Sequence, residues 1–217
     1  IALAAEIPCG YLSSAEIAQQ CDRIFLGVKP HMMKDVLAPL KPILQERKPL
    51  LITMAAGLEI AKIQELAGAE LPVIRIMPNT PTALGKGVIP YCCNDLVSDE
   101  QLRAWKEDMQ PCGLVDRIEE RLMDGVSALS GSGPAYVYVM MEAMADGAVA
   151  CGIPKEKALE YAAMTMAGAA EMYLQTKQHP GALKDAVCSP GGSTIAGVRA
   201  LEHKGFRGAA MDCVIAT

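Results

Sequence analysis

Aromatic side chains are scarce in this sequence: one Trp, two Phe and six Tyr make 4% of 217 residues. That excludes a core built on large rings. The apolar half of the chain must pack mainly through aliphatic residues and 13 Met, a composition suited to close helix–helix contact with Met in irregular gaps. Histidine is scarcer still, and His31, His179 and His203 stand far apart. No C-x-x-C pair occurs among the cysteines at 9, 21, 92, 93, 112, 151, 188 and 213, so spacing supports no zinc site. These read as reduced thiols of a cytoplasmic protein. No Ser/His/Asp or Cys/His set has a recognisable spacing, which leaves hydrolase chemistry without support. No Lys/Arg cluster stands out, and a net charge of −5 argues against a nucleic-acid partner. The start of the chain has no charged segment leading into an apolar one, so a signal peptide is not expected. The apolar run from Pro134 to Cys151 carries Glu142 and Asp146, which argues against a membrane span.

What is present is a globular composition, 51% hydrophobic and 21% charged, long enough for one large domain or two modest ones. The first half alternates strand and helix patterns. Arg23–Val28, Leu50–Met54, Pro72–Met77, Gly87–Cys93 and Gly113–Ile118 read as strands. Pro30 suits a helix start, and Met33, Val36, Leu37, Leu40 and Leu44 follow at helical spacing. Pro39 and Pro42 should break that helix into two short pieces. Leu58–Leu66 and Ser98–Met109 read as further helices, the latter with a capping box of Ser98 and Gln101. This alternation predicts a parallel sheet with helices on its faces. From Glu119 onward only helical patterns appear, over 120–128, 134–151, 154–176, 180–187, 193–203 and 206–216. The expected domains are therefore 1–118 and 119–217. The second should dimerise, because its apolar helices exceed what about a hundred residues can cover alone.

Two kinds of segment could carry chemistry. Val28-Lys29-Pro30, Ala55-Ala56-Gly57 and Met77-Pro78-Asn79-Thr80-Pro81 follow the first three strands, where a parallel sheet binds ligands. Each alone could be an ordinary turn; three in register point to a nucleotide cleft. Ser130-Gly131-Ser132-Gly133-Pro134-Ala135-Tyr136 and Ser189-Pro190-Gly191-Gly192-Ser193-Thr194 each open a helix, whose unpaired N–H groups suit an anion. Each could equally be a helix break or an N-cap. Tyr136 and Tyr138 read as core or dimer packing, and Glu119 and Glu120 as a solvated helix start. The phosphate loop G-x-G-x-x-G is absent, with Gly85-x-Gly87 the nearest pattern. The chain begins at Ile1 without Met, and an upstream segment is expected.

Taken together, these motifs, with Ala145-Asp146-Gly147, His179-Pro180-Gly181 and Leu183-Lys184-Asp185 between them, closely resemble pyrroline-5-carboxylate reductase over essentially the whole chain. The resemblance implies an α/β fold: a Rossmann-type parallel sheet lacking its first βα unit, followed by an all-helical dimerisation domain. It implies hydride transfer from NADPH or NADH to a cyclic imino acid, giving proline. Thr194 would hydrogen-bond the ring nitrogen. Ser189, Gly191, Gly192 and Ser193 would hold the carboxylate, with Glu120 and Val187 also at the substrate. Val28, Lys29, Pro30, Met54, Ala55, Ala56 and Asn79 would line the cofactor. Ser14 stands near the adenosine ribose, where relatives often carry Asn, and Ala186 stands where some carry Asn. No dedicated acid is required, since an imine can take its proton from solvent. The resemblance also implies a homodimer, assembling further into a ring. Without the glycine loop the pyrophosphate loses its main cradle, which leaves open the activity of residues 1–217 on their own. Two other readings remain at this point: a related dehydrogenase on another small substrate, and a non-catalytic dimerisation module.

Overall fold

The computed structural model describes residues 9–217. Five strands lie side by side in chain order: β1 (Arg23–Leu26), β2 (Leu50–Thr53), β3 (Val73–Ile76), β4 (Gly87–Cys93) and β5 (Gly113–Arg117). Every residue of β2 and β3 is buried, as expected for central strands covered on both faces. Side chains alternate between the faces. Leu51 and its neighbour Val73 join one core with Met33, Leu37 and Ile63. Ile52 and its neighbour Ile74 join the other, with Tyr91 and Trp105.

The sheet is not parallel throughout. β1, β2 and β3 run parallel, and so do β4 and β5, but β3 and β4 are antiparallel, with Ile74 opposite Cys93 and Ile76 opposite Tyr91. The cause is the connection. A parallel crossover needs a dozen or more residues. Residues 77–86 supply only a 3-10 turn, Thr80–Leu84, closed by Gly85 in a left-handed conformation (φ +68°). The chain therefore turns straight back.

The β1–β2 crossover follows its prolines. Pro30 starts a 3-10 turn, α2 (Met33–Leu37) follows, Pro39 falls in a second 3-10 turn, and Pro42 sits in the first turn of α3 (Lys41–Arg47). Before β1 lies α1 (Ser14–Gln20), with Ser13 and Glu16 forming a capping box. α4 (Ile60–Ala67) links β2 to β3, and α5 (Asp99–Met109) links β4 to β5. At the start of α5 the Gln101 N–H donates to Ser98 Oγ (3.2 Å) and the Ser98 N–H to Gln101 Oε1 (3.0 Å).

The chain divides into two compact units between Gly131 and Ser132. This lies beyond the point where the strand pattern ends. The reason is α6 (Met123–Val126), whose Met123 is fully buried in the sheet core. The second unit holds α7 (Gly133–Ala150), α8 (Lys155–Thr176), α9 (Pro180–Ala186), α10 (Ser193–His203) and α11 (Phe206–Ile215). α7 and α8 form a hairpin turned at Gly152 (φ +93°), packed through Ala145, Ala158 and Ala162, with Asp146 paired to Lys155. Large apolar side chains face outward, Val139 at 70% exposure and Met164 at 69% among them. No described helix is long and apolar enough to cross a membrane.

Candidate functional site

In the sheet unit the carboxyl ends of β1, β2 and β3 lie at one edge, because these strands are parallel neighbours. Val28, Lys29 and Pro30, then Met54, Ala55 and Ala56, then Asn79 follow those ends in turn. Ala55 is buried and Ala56 exposed; Val28 and Met54 are half-buried against the two cores. Space beside Gly27 and Gly57 is open, since a Cβ at either would meet nothing within 4 Å. The result is a shelf of small groups and backbone, which a flat ring and its ribose fit. Along β1 runs a cavity of about 280 Å³ whose lining includes Ser14, Ile17, Gly27 and Val28. Ser14 and the β1 exit thus share one surface. No glycine-rich phosphate loop stands among the described residues. The fit extends to the ring-and-ribose half of a dinucleotide.

A charged cluster on this unit escaped sequence reading. Arg75 lies within β3 and is 2% exposed. Its Nη1 donates to Glu120 Oε1 (3.3 Å) and its Nη2 to Asp124 Oδ1 (3.0 Å). The same Glu120 oxygen accepts the Ile60 N–H (2.8 Å) at the start of α4. The N-cap residue Glu59 makes no side-chain cap there, so Glu120 takes over that task. Glu120 is thus not a freely solvated helix start. Among the described residues, only its Oε1 is engaged. The sole local signal was an arginine inside an otherwise apolar strand, Val73-Ile74-Arg75-Ile76. Cys92, next to Arg75 in the register, is buried, and that burial pushes its thiol up to about 11. It stays protonated and is no nucleophile at neutral pH.

In the helical unit the second Gly/Pro segment forms a tight turn. The Gly192 N–H donates to the Ser189 carbonyl (3.0 Å), Pro190 sits second, and Gly191 third with φ +70°. That order matches the residues such a turn demands. A Cβ at Gly192 would press on the Ser189 carbonyl and require Ser189 Oγ to rotate away. Gly192 is also the N-cap of α10 and offers no side-chain cap. α1 and α5 cap themselves with serines; α10 has no such side-chain cap for its first N–H groups. Ser189, Gly191, Ser193 and Thr194 are exposed, and Val187, 65% exposed, ends α9.

The Ser130–Tyr136 segment is more than a helix break. Ser127–Gly131 is a π-helix, a form found often at functional sites. α7 starts immediately after it, with Pro134 in its first turn. Tyr136 Oη lies 2.5 Å from the Thr217 hydroxyl, within the same unit.

Comparison with known proteins gives one consistent result. Residues 120–217 match the family model described as pyrroline-5-carboxylate reductase dimerisation. The chain is 43% identical to a pyrroline-5-carboxylate reductase of Glycine max over 204 residues, 94% of this chain and 74% of that protein. It is 41% identical to one from Escherichia coli strain K12 over 202 residues, 93% of this chain and 75% of that protein. The structure of Plasmodium falciparum pyrroline carboxylate reductase with NADP bound aligns at a TM-score of 0.88 and 36% identity, covering 95% of this chain and 78% of the other. That of 1-pyrroline-5-carboxylate reductase from Streptococcus pyogenes aligns at 0.89 and 34% identity, covering 99% and 82%.

Proposed function

The chain belongs to the pyrroline-5-carboxylate reductase family, and from that premise we propose that it reduces 1-pyrroline-5-carboxylate to L-proline with NADPH or NADH, the last step of proline biosynthesis. The observation that carries this reading is the uncapped start of α10, held by the Ser189–Gly192 turn. Free N–H groups with a partial positive charge suit the substrate carboxylate. Ser189, Gly191, Gly192 and Ser193 hold it there. Thr194, the second residue of the same helix, is the catalytic group and directs its hydroxyl to the ring nitrogen. Glu120 and Val187 complete the substrate contacts. When bound, the cofactor supplies the hydride that adds to C5 of the imine. Val28, Lys29, Pro30, Met54, Ala55 and Ala56 hold its nicotinamide and ribose, and Ser14 reaches towards the adenosine ribose. The C=N bond becomes a C–N bond and the nitrogen takes its proton from solvent. The protein's contribution is position and exclusion of water.

In this reading the unit that ends at Gly131 holds the cofactor, and the unit from Ser132 to Thr217 binds substrate and dimerises. The chain is a homodimer. We extend that to a larger ring in the cytoplasm. The outward apolar faces of α7 and α8 support the dimer, and eight free cysteines suit a reducing compartment.

The test is oxidation of NADPH by the full-length protein with 1-pyrroline-5-carboxylate. Thr194→Val removes a hydrogen bond worth ~1.5–3 kcal/mol, so kcat/KM should fall roughly ten- to hundredfold. An unchanged value would reduce Thr194 to a helix-start residue. No turnover by the intact wild type would overturn the function itself.

A further inference from the structure

The Ser130 carbonyl has lost both of its local donors. Four residues on, Pro134 has no N–H to give. Five residues on, the Ala135 N–H is already bonded to the Ser132 carbonyl (3.0 Å). A carbonyl so placed needs a partner from elsewhere. Asn79, just past β3, supplies it: Nδ2 donates to the Ser130 carbonyl (2.9 Å). The Asn79 Oδ1 accepts the Val88 N–H (2.9 Å) at the start of β4. One amide thus ties the exit of β3, the entry of β4 and the π-helix from which α7 departs. The neighbouring Ser130 Oγ binds back to the Val126 carbonyl (2.9 Å), so this residue is fixed from both sides.

We infer that Asn79 is a positioning residue, whose amide replaces for the Ser130 carbonyl the backbone donor that Pro134 removes. It acts through the Ser130–Pro134 segment and not by gripping the cofactor. Two motifs distant in sequence are then one device: the proline creates the vacancy and the asparagine fills it. This inference rests on the reductase reading, because its kinetic consequence is a loss of alignment for hydride transfer. Misplacement on the scale of an ångström costs about a hundredfold in rate.

The experiment compares wild type, Asn79→Ala and the double variant Asn79→Ala/Pro134→Ala of the full-length protein. Restoring an N–H at position 134 offers the Ser130 carbonyl a donor four residues on, in the first turn of α7. Asn79→Ala should lower kcat at saturating cofactor about ten- to hundredfold. Its Kd for NADPH, read by fluorescence titration, should stay within about threefold. The double variant should regain most of the lost kcat. A weakened Kd with kcat intact would make Asn79 a direct cofactor contact and overturn the inference. So would a double variant no better than Asn79→Ala. Should Asn79→Ala fail to fold, the melting curve decides: a cooperative transition regained in the double variant supports the inference, and none regained overturns it. The melting comparison needs no turnover, so it stands even where wild type fails to oxidise NADPH and the function itself falls.

Discussion

In the sheet unit every residue of β2 and β3 is buried, and the largest enclosed side chains include Trp105, Arg75 and Tyr91. In the helical unit the described buried side chains are three alanines, Ala145, Ala158 and Ala162, while Val139, Met164, Met172 and Leu174 are each more than half exposed. The first unit encloses two cores of large side chains around its central strands, while Phe25, Leu84 and Leu114 towards its margins stay exposed. The second spends its small residues on the α7–α8 contact and turns its large ones outward, which suits a surface that a second subunit covers. The difference separates a region whose sequence is constrained by its own packing from one constrained by its partner.

The strongest way to break that comparison is to charge the outward face. Val139→Glu with Met164→Glu would bury carboxylates in the subunit contact, at several kcal/mol each. Light scattering should show a loss of the wild-type oligomer in favour of the single chain, and turnover should vanish. Trp105 emission, a reporter inside the sheet core, should not move. An unchanged mass and activity would mean that these faces are not covered by a second copy.

A smaller effect is expected from paired arginines, one in each unit. Arg75→Ala removes the buried partner of Glu120 and Asp124, both of which keep access to solvent, and should cost about 1.5–3 kcal/mol in urea melts followed by Trp105. Arg207 pairs with Glu202 at the surface (2.7 Å), both partners being well exposed. Arg207→Ala should change stability by less than about 1 kcal/mol. Equal losses would erase the distinction between a self-contained core and a solvated surface.

The smallest expected effect is a pH dependence confined to the sheet unit. Burial raises the Cys92 thiol from its ordinary value of 9.0 to about 11. Between those values the folded chain keeps a proton that the unfolded chain releases. Stability therefore falls as pH rises through that window, with a slope approaching one proton. Cys92→Ala should remove that part of the slope in melts from pH 8 to about 11, whereas Cys151→Ala, at an exposed position, should not.

Much of this was legible in the residues. β2 and β3 announce themselves as short apolar runs bounded by Pro and Gly, and Pro39 and Pro42 mark where the first crossover splits. The direction of β4 was not legible in β4 itself. Strand direction resides in the length of the connection, and residues 77–86 are too few for a crossover. The Arg75 cluster joins positions 45 and 49 residues apart, and nothing in local periodicity encodes such a pairing. For the candidate site, the Ser189–Gly192 turn follows from its Pro and Gly. That α10 would go uncapped also follows, because Gly192 has no side chain. Asn79 reads as a polar handle for a ligand, and its two internal partners emerge only once the fold brings Val88 and Ser130 beside it.

The reversal after β3 also bears on the order of assembly. β1–β2, β2–β3 and β4–β5 are each joined through intervening helices, so their ends must find one another across long loops. β3 and β4 are joined by residues 77–86 alone. Loop-closure entropy favours the short connection. The β3–β4 hairpin is therefore the expected seed of the sheet, with β2 and β5 zipping on either side and β1 arriving last.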